Sequence, residues 1–177
     1  MENWDLYDKN RYPLGRTIAS GKEKAEGEYH IVVNIWTINH QGELLLTLRH
    51  PDKKLYPNMW ECTGGSVLSG ETSQEGAVRE LWEETGIQIR EAELIYMGTY
   101  KDKSAFIDSY TVYKDVDIQD IKLQEGETIS VEWIALEELD DIIESGRMAI
   151  PVVNYIKPMR DVLNKMVLNI RTKDISQ

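Results

Sequence analysis

The chain has 177 residues, a single cysteine, Cys62, and a formal net charge of −11. That length suits one domain able to bury a core unaided, and one cysteine excludes an internal disulfide framework or a Cys-rich zinc site. The acidic balance disfavours nucleic-acid polymers, whose phosphates the protein's field repels, yet leaves small anionic substrates open wherever a divalent cation inverts the local field.

The opening MENWDLYDKN lacks an apolar signal-peptide core, and no run approaches the ~20 apolar residues of a membrane span, so a cytoplasmic protein without a membrane partner is expected. Residues 1–27 read as an N-terminal arm or hairpin, with Trp4, Leu6, Tyr7 and Ile18 packing on a domain that spans 28–177. The β-branched and aromatic run Tyr29 to Ile38, the turn residues Asn39 to Gly42 and the run Glu43 to Arg49 predict two antiparallel strands. A Pro-bounded loop, HPDKKLYPNMW, then leads to TGGSVLSGE.

Thr72 with Glu75 three residues on is a capping box that starts a helix, and Gly86 ends it in a left-handed cap. Leu94 to Tyr100, Ile107 to Tyr113 and Ile129 to Ile134 read as strands, and Leu136 to Ser145 as a short helix. In Val152 to Ile170, Val153, Ile156, Met159, Val162, Leu163, Met166 and Leu168 recur at helical intervals, with Pro158 expected to start or kink the helix. Strands, helix, strands, helices make an α+β class with a mixed sheet.

Within the capped helix Glu80, Glu83 and Glu84 stand at i, i+3 and i+4, so their carboxylates leave from one face. Like charges this close destabilise a helix, and a hard divalent cation is their natural compensation. Arg79 and Glu83 form an i, i+4 pair in which a guanidinium can fix one carboxylate while others face an ion. On its own such a triplet is more often a solvated acidic face. The preceding segment changes the reading, because Gly64 and Gly65 end a strand and Glu71 lies nine residues before Glu80.

From Gly65 the chain runs through five residues to Glu71, seven more to Arg79-Glu80-Leu81, then Trp82, Glu83-Glu84, Thr85 and Gly86-Ile87. This resembles the Nudix box at each defining position. The resemblance implies the Nudix fold, a mixed-sheet α/β/α sandwich, and hydrolysis of a nucleoside or other diphosphate by metal-activated water. It makes Glu83 and Glu84 metal ligands, Glu80 a ligand or base and the Gly64 carbonyl a backbone ligand for Mg²⁺, with Mn²⁺ as an alternative. It gives Arg79, Glu71, Gly65 and Gly86 orienting or structural roles. The family often adds a later glutamate as base or ligand, here Glu127, ahead of Glu125 and Glu132.

The WDLYD opening, the EYHIVVNIW strand and LRHPDKKLYPNMW are similar to the isopentenyl-diphosphate isomerase branch and its related hydrolases. By that similarity Arg49 and Lys53, with Lys54 in reserve, are candidates for gripping the diphosphate. The isomerase needs a cysteine followed by Gly-His-Pro after the tryptophan, whereas Trp60 here is followed by Glu-Cys-Thr-Gly-Gly, and most of that branch's metal-binding histidines are missing. Hydrolysis is therefore the expected activity, isomerisation the alternative, and a silent nucleotide-binding module a third reading that the intact carboxylates disfavour. His30 and Cys62 are read as buried residues. Tyr29, Trp36, Tyr56 and Trp60 are read mostly as core, with stacking on a base as the alternative. A nucleoside diphosphate compound is the expected substrate, and the arm and last helix could bury apolar surface in a homodimer.

Overall fold

The computed structural model describes residues 2–174; residue 1 and residues 175–177, the outer ends of the arm and of the following domain, lie outside the described residues. Strand β1 (Asn3–Tyr7) pairs antiparallel with β2 (Pro13–Ala19) in a two-stranded sheet. The larger sheet is built on β3 (His30–Ile38), where eight of the nine residues are buried, as befits a strand covered on both faces. Its partners are β8 (Ala105–Tyr113), parallel, and β6 (Thr63–Ser66), antiparallel, while β7 (Ile95–Lys101) extends the sheet beyond β8.

Strand β4 (Leu44–Arg49) meets β3 at Ile38 and Leu44, then pairs with β5 (Trp60–Glu61) and β9 (Thr128–Ile134). Helix α1 (Ser73–Thr85) covers one face: Ala77 and Leu81 join Val33, Ile35, Leu45, Tyr110 and Val112 in a core. Helices α2 (Leu136–Glu144) and α3 (Ile150–Asp174) cover the other, where Leu139, Met159 and Leu163 pack on Trp36, Leu44 and Leu46. The result is a three-layer α/β/α sandwich with a mixed sheet. Among the described residues no helix is long and apolar enough to cross a membrane.

Of the two roles expected of Pro158, starting the last helix is excluded, because α3 begins at Ile150 and carries Pro158 inside. The expected apolar stripe also needs one correction. The buried stripe of Val152, Ile156 and Met159 is continued by Leu163 and Val167, while Leu168 turns outward and is 59% exposed. A 3.6-residue period favours 163 and 167 on one stripe and rotates 168 off it.

The N-terminal hairpin is tied to the larger sheet by paired backbone bonds between Tyr7 and Tyr29, 2.8 and 2.9 Å, and by Arg11, which ion-pairs with the buried Asp108. Trp4 stacks on His30 with ring centroids 4.5 Å apart. The His30 Nδ1 donates to the Ser104 carbonyl, 3.2 Å, which places its proton there. Burial, followed by repulsion from Lys24, pushes the His30 pKa down from 6.5 to about 4, against the opposing bond to Ser104. Between those values the unfolded chain takes up a proton that the folded chain refuses, so this contribution is complete above pH 6.5 and lost as the pH falls towards 4. Urea unfolding at pH 6.5 and pH 4 should show wild type losing about 2–3 kcal/mol more than His30→Phe over that window.

Candidate active site

The helix that carries the acidic residues is fixed at both ends by local chemistry. Thr72 Oγ1 accepts the Glu75 N–H at 3.1 Å, and Glu75 Oε2 accepts the Thr72 N–H at 2.7 Å. At the other end Gly86, with φ 73°, donates its N–H to the Trp82 carbonyl at 2.8 Å. Burial of Ala77 and Leu81 against the sheet sets the rotation of the helix, and Glu84 is buried with them.

Strand β6 comes very close to this helix. A Cβ at Gly64 would sit 2.5 Å from the Val33 carbonyl oxygen, and one at Gly65 would fall among the carboxylate atoms of Glu80. The two glycines therefore permit two different approaches, strand to strand and strand to glutamate.

Arg79 is the junction of the site. Its Nε and Nη2 donate to the two Glu71 oxygens at 2.8 and 3.0 Å, Nη2 also to the Ser66 carbonyl at 3.0 Å, and Nη1 to Glu80 at 2.9 Å and Glu83 at 3.0 Å. These bonds match the full donor set of a guanidinium. Burial alone would lower its pKa, but Glu71 and Glu80 outweigh that and raise it. Glu71 also accepts the Leu68 N–H at 2.9 Å, so the loop, the strand and the helix are fastened to one cation.

Glu84 has no such cation. Burial raises its pKa well above the usual carboxylate range, and the charges of Glu61, Glu80 and Glu127 push the same way, opposed by a backbone bond from Gly64. Its Oε2 is buried without a hydrogen-bond partner. Burial raises Glu80 too, against Arg79 and with Glu83 adding repulsion. Among the described residues no three His, Cys, Asp or Glu side chains are gathered tightly enough to enclose an ion, since Arg79 engages Glu80 and Glu83.

The Glu127 carboxylate is paired with Lys53, and its charge adds to those that raise the Glu84 pKa. Arg49 is spent within the chain: Nη1 reaches both Glu61 oxygens at 2.7 and 2.8 Å, and Nε and Nη2 reach the carbonyls of Leu55 and Tyr56. Lys54 is exposed on the same loop. Of the aromatic candidates, Trp36 and Trp60 are buried core, Tyr56 packs partly buried against that core, and Tyr29 lies 5.1 Å from Phe106.

A family model described as NUDIX domain matches residues 28–151, which is most of the chain. The chain belongs to the Nudix family. It is 38% identical over 147 residues to an uncharacterized Nudix hydrolase of Listeria monocytogenes, covering 82% of this chain and 87% of the relative. It is 25% identical over 137 residues to the isopentenyl-diphosphate Delta-isomerase of Escherichia coli, covering 74% and 75% of the two chains. The crystal structure of the Deinococcus radiodurans protein DR0079 superposes with a TM-score of 0.76 at 25% identity, over 89% of this chain and 99% of that one. The protein is thus a Nudix hydrolase with relatives on the isomerase side of the family.

In this Nudix hydrolase Cys62 is buried 3.4 Å from the Tyr155 hydroxyl, and burial pushes its thiol up to about 12. Such a thiol is inert near neutral pH. Glu61 is the residue that the sequence reading passed over. It occupies a two-residue strand between Trp60 and Cys62, both buried, and a carboxylate bracketed by core residues was the available signal.

Gly65, which opens the Nudix box, and Gly64 just before it separate placement from stability. Gly64→Ala drives a methyl into backbone and should cost about 1–3 kcal/mol in chemical denaturation. Gly65→Ala meets only a movable side chain and should melt close to wild type, while displacing Glu80 and lowering turnover.

Proposed function

We propose that the chain is a divalent-cation-dependent hydrolase of diphosphate bonds, using Mg²⁺ with Mn²⁺ as the alternative, and that its substrate is a nucleoside diphosphate compound. The observation that carries this reading is Glu84: a buried carboxylate with an unpartnered oxygen, whose charge is further opposed by those of Glu61, Glu80 and Glu127. An uncompensated buried charge is strongly destabilising, and a hard cation is what an all-oxygen donor set would accept. The unpartnered Glu84 oxygen is the acceptor that supports such an ion here. Glu83, Glu84 and the Gly64 carbonyl would hold it, with Glu80 as a further ligand or base once its bond to Arg79 is exchanged.

When bound, the cation neutralises diphosphate oxygens and lowers the pKa of water at the reacting phosphorus. Arg79 keeps Glu80 and Glu83 on the β6 side of the helix while Glu71 anchors the guanidinium. Glu127 takes the water's proton on Oε1, the oxygen that Lys53 does not hold, and the Lys53 ammonium then meets the departing phosphate. Isomerisation would need a matched proton donor and acceptor across an allylic carbon. The inert Cys62 and the neutral, stacked His30 do not supply them.

The nucleoside reading is supported by a groove of about 480 Å³ beside Glu83. Trp82, 54% exposed, forms one wall, and Gln88, Lys122 and Gln124 face it. An indole face with amide edges nearby suits a flat heterocycle. Lys122 lines the groove and can meet an anionic group. A dimer is the proposed assembly, with exposed Leu14 and Leu168 as apolar side chains it could cover.

The test is release of phosphate, pyrophosphate or nucleoside monophosphate from a panel of nucleoside diphosphates, nucleotide sugars, dinucleotides and isopentenyl diphosphate with Mg²⁺. Wild type should cleave at least one nucleoside compound, and Glu83→Gln should lower turnover roughly 10²-fold or more, the scale of one lost electrostatic contact in a transition state. Glu84→Gln should melt above wild type without metal, because a buried charge is gone, and should forfeit the rise in melting temperature that Mg²⁺ gives wild type. Interconversion of isopentenyl and dimethylallyl diphosphate without hydrolysis would refute the hydrolase reading.

A further inference from the structure

Glu61 lies outside the Nudix box and its helix, yet it is bonded to Arg49, which holds the loop that carries Lys53. Its side chain is 16% exposed and takes both contacts from the Arg49 Nη1. On the other side it is among the charges that act on Glu84. A buried ion pair is poor evidence of a stabilising role, since an apolar pair often replaces it without loss. The geometry around its partner Arg49 points to a different role.

Arg49 supplies part of that role. Its Nε donates to the Tyr56 carbonyl at 3.1 Å, and Nη2 to the Leu55 carbonyl at 3.0 Å. These carbonyls belong to a loop in which Tyr56 and Asn58 hold positive φ values of 53° and 56°, a conformation asparagine takes readily and a bulky residue such as Tyr56 takes at a cost. The same loop begins with His50, whose N–H donates to the Glu127 carbonyl at 2.8 Å, and continues to Lys53, whose ammonium pairs with the Glu127 carboxylate. Glu61, Arg49, the loop, Lys53 and Glu127 thus form one connected path of hydrogen bonds and ion pairs.

We propose that Glu61 is a positioning residue of the diphosphate site, bracing through Arg49 the loop that presents Lys53 to Glu127 and adding its charge to the carboxylate wall that a divalent cation meets. The inference rests on the cation-dependent hydrolase reading above. Glu61 need not touch substrate or ion; its charge strengthens the field at Glu84, and its reach to Arg49 sets the loop. Outer residues of this kind typically change metal affinity by about 10–100-fold when altered.

The experiment measures Mn²⁺ binding by the paramagnetic resonance of free Mn²⁺, together with thermal melting of the metal-free full chain, for wild type, Glu61→Gln and Glu61→Asp. Glutamine keeps the shape and loses the charge, whereas aspartate keeps the charge and shortens the reach. Mn²⁺ affinity should fall about 10–100-fold in Glu61→Gln and recover part of the way in Glu61→Asp. The order of melting temperatures should be the reverse, with glutamine closer to wild type. Equal Mn²⁺ affinity in wild type and either folded variant would overturn the proposal. Should Glu61→Gln fail to fold, Glu61→Asp against wild type decides: about tenfold weaker Mn²⁺ binding supports the role, and unchanged binding ends it. Wild type that binds no Mn²⁺ and cleaves nothing in the panel would overturn the hydrolase reading as well, which distinguishes the two failures.

Discussion

The arrangement of this site depends on one guanidinium. Arg79 stands on α1 but is bonded to the end of β6 through Ser66, to the connecting loop through Glu71, and to its own helix through Glu80 and Glu83. A lysine could not do this, because an ammonium has three donors and no planar fork. Since the bonds go to three successive parts of the chain, the strand, loop and helix cannot shift independently without leaving donors of a mostly buried cation unmatched. The orientation of the helix, and with it the direction of Glu84, follows from that fastening and from the burial of Ala77 and Leu81.

Close approach is the second constraint, and it serves the first. Arg79 reaches the Ser66 carbonyl because β6 lies almost against α1, where Gly65 has no Cβ to collide with Glu80, while Gly64 lets β6 lie close to β3. The capping box and the left-handed Gly86 then fix where the helix begins and ends relative to that strand. At Gly86 a side chain would also crowd Lys122, so the cap lets the later loop settle on the helix end, where Lys122 donates its N–H to the Thr85 carbonyl at 2.9 Å. That loop continues to Glu127, which is how a residue 43 positions after Glu84 in sequence joins it in space.

Features set by neighbours in sequence were legible, and features set by pairing between distant strands were not. Thr72, Glu75 and Gly86 mark the helix because caps act within one turn, and Glu80, Glu83 and Glu84 share a face because of helical period alone. The Arg79–Glu83 pair belongs to the same local geometry, but the bonds from Arg79 to Glu71 and Ser66 required the strand to be folded against the helix. Arg49 shows the limit well: its place near the site followed from resemblance, while its partner Glu61 is set by β4 pairing with β5, where Thr47 opposes Glu61. Leu168 shows a smaller one, since the spacing of apolar residues left the exact edge of the buried stripe on α3 to the packing of Leu163 and Val167.

The distribution of charge within the site is uneven in an informative way. Glu61 has Arg49, Glu127 has Lys53, and Glu80, Glu83 and Glu71 share Arg79. Each of these pairings moderates repulsion at one carboxylate while leaving the group as a whole acidic. Glu84 lies where their fields overlap and is served only by a backbone N–H on one side, with Oε2 left without a partner. Folding that buried Glu84 for packing alone would favour an apolar residue at the same volume. Among the described residues no cation of the chain reaches Glu84, which is where the proposed divalent ion would bind, and the internal ion pairs meanwhile hold the neighbouring carboxylates to their own cations.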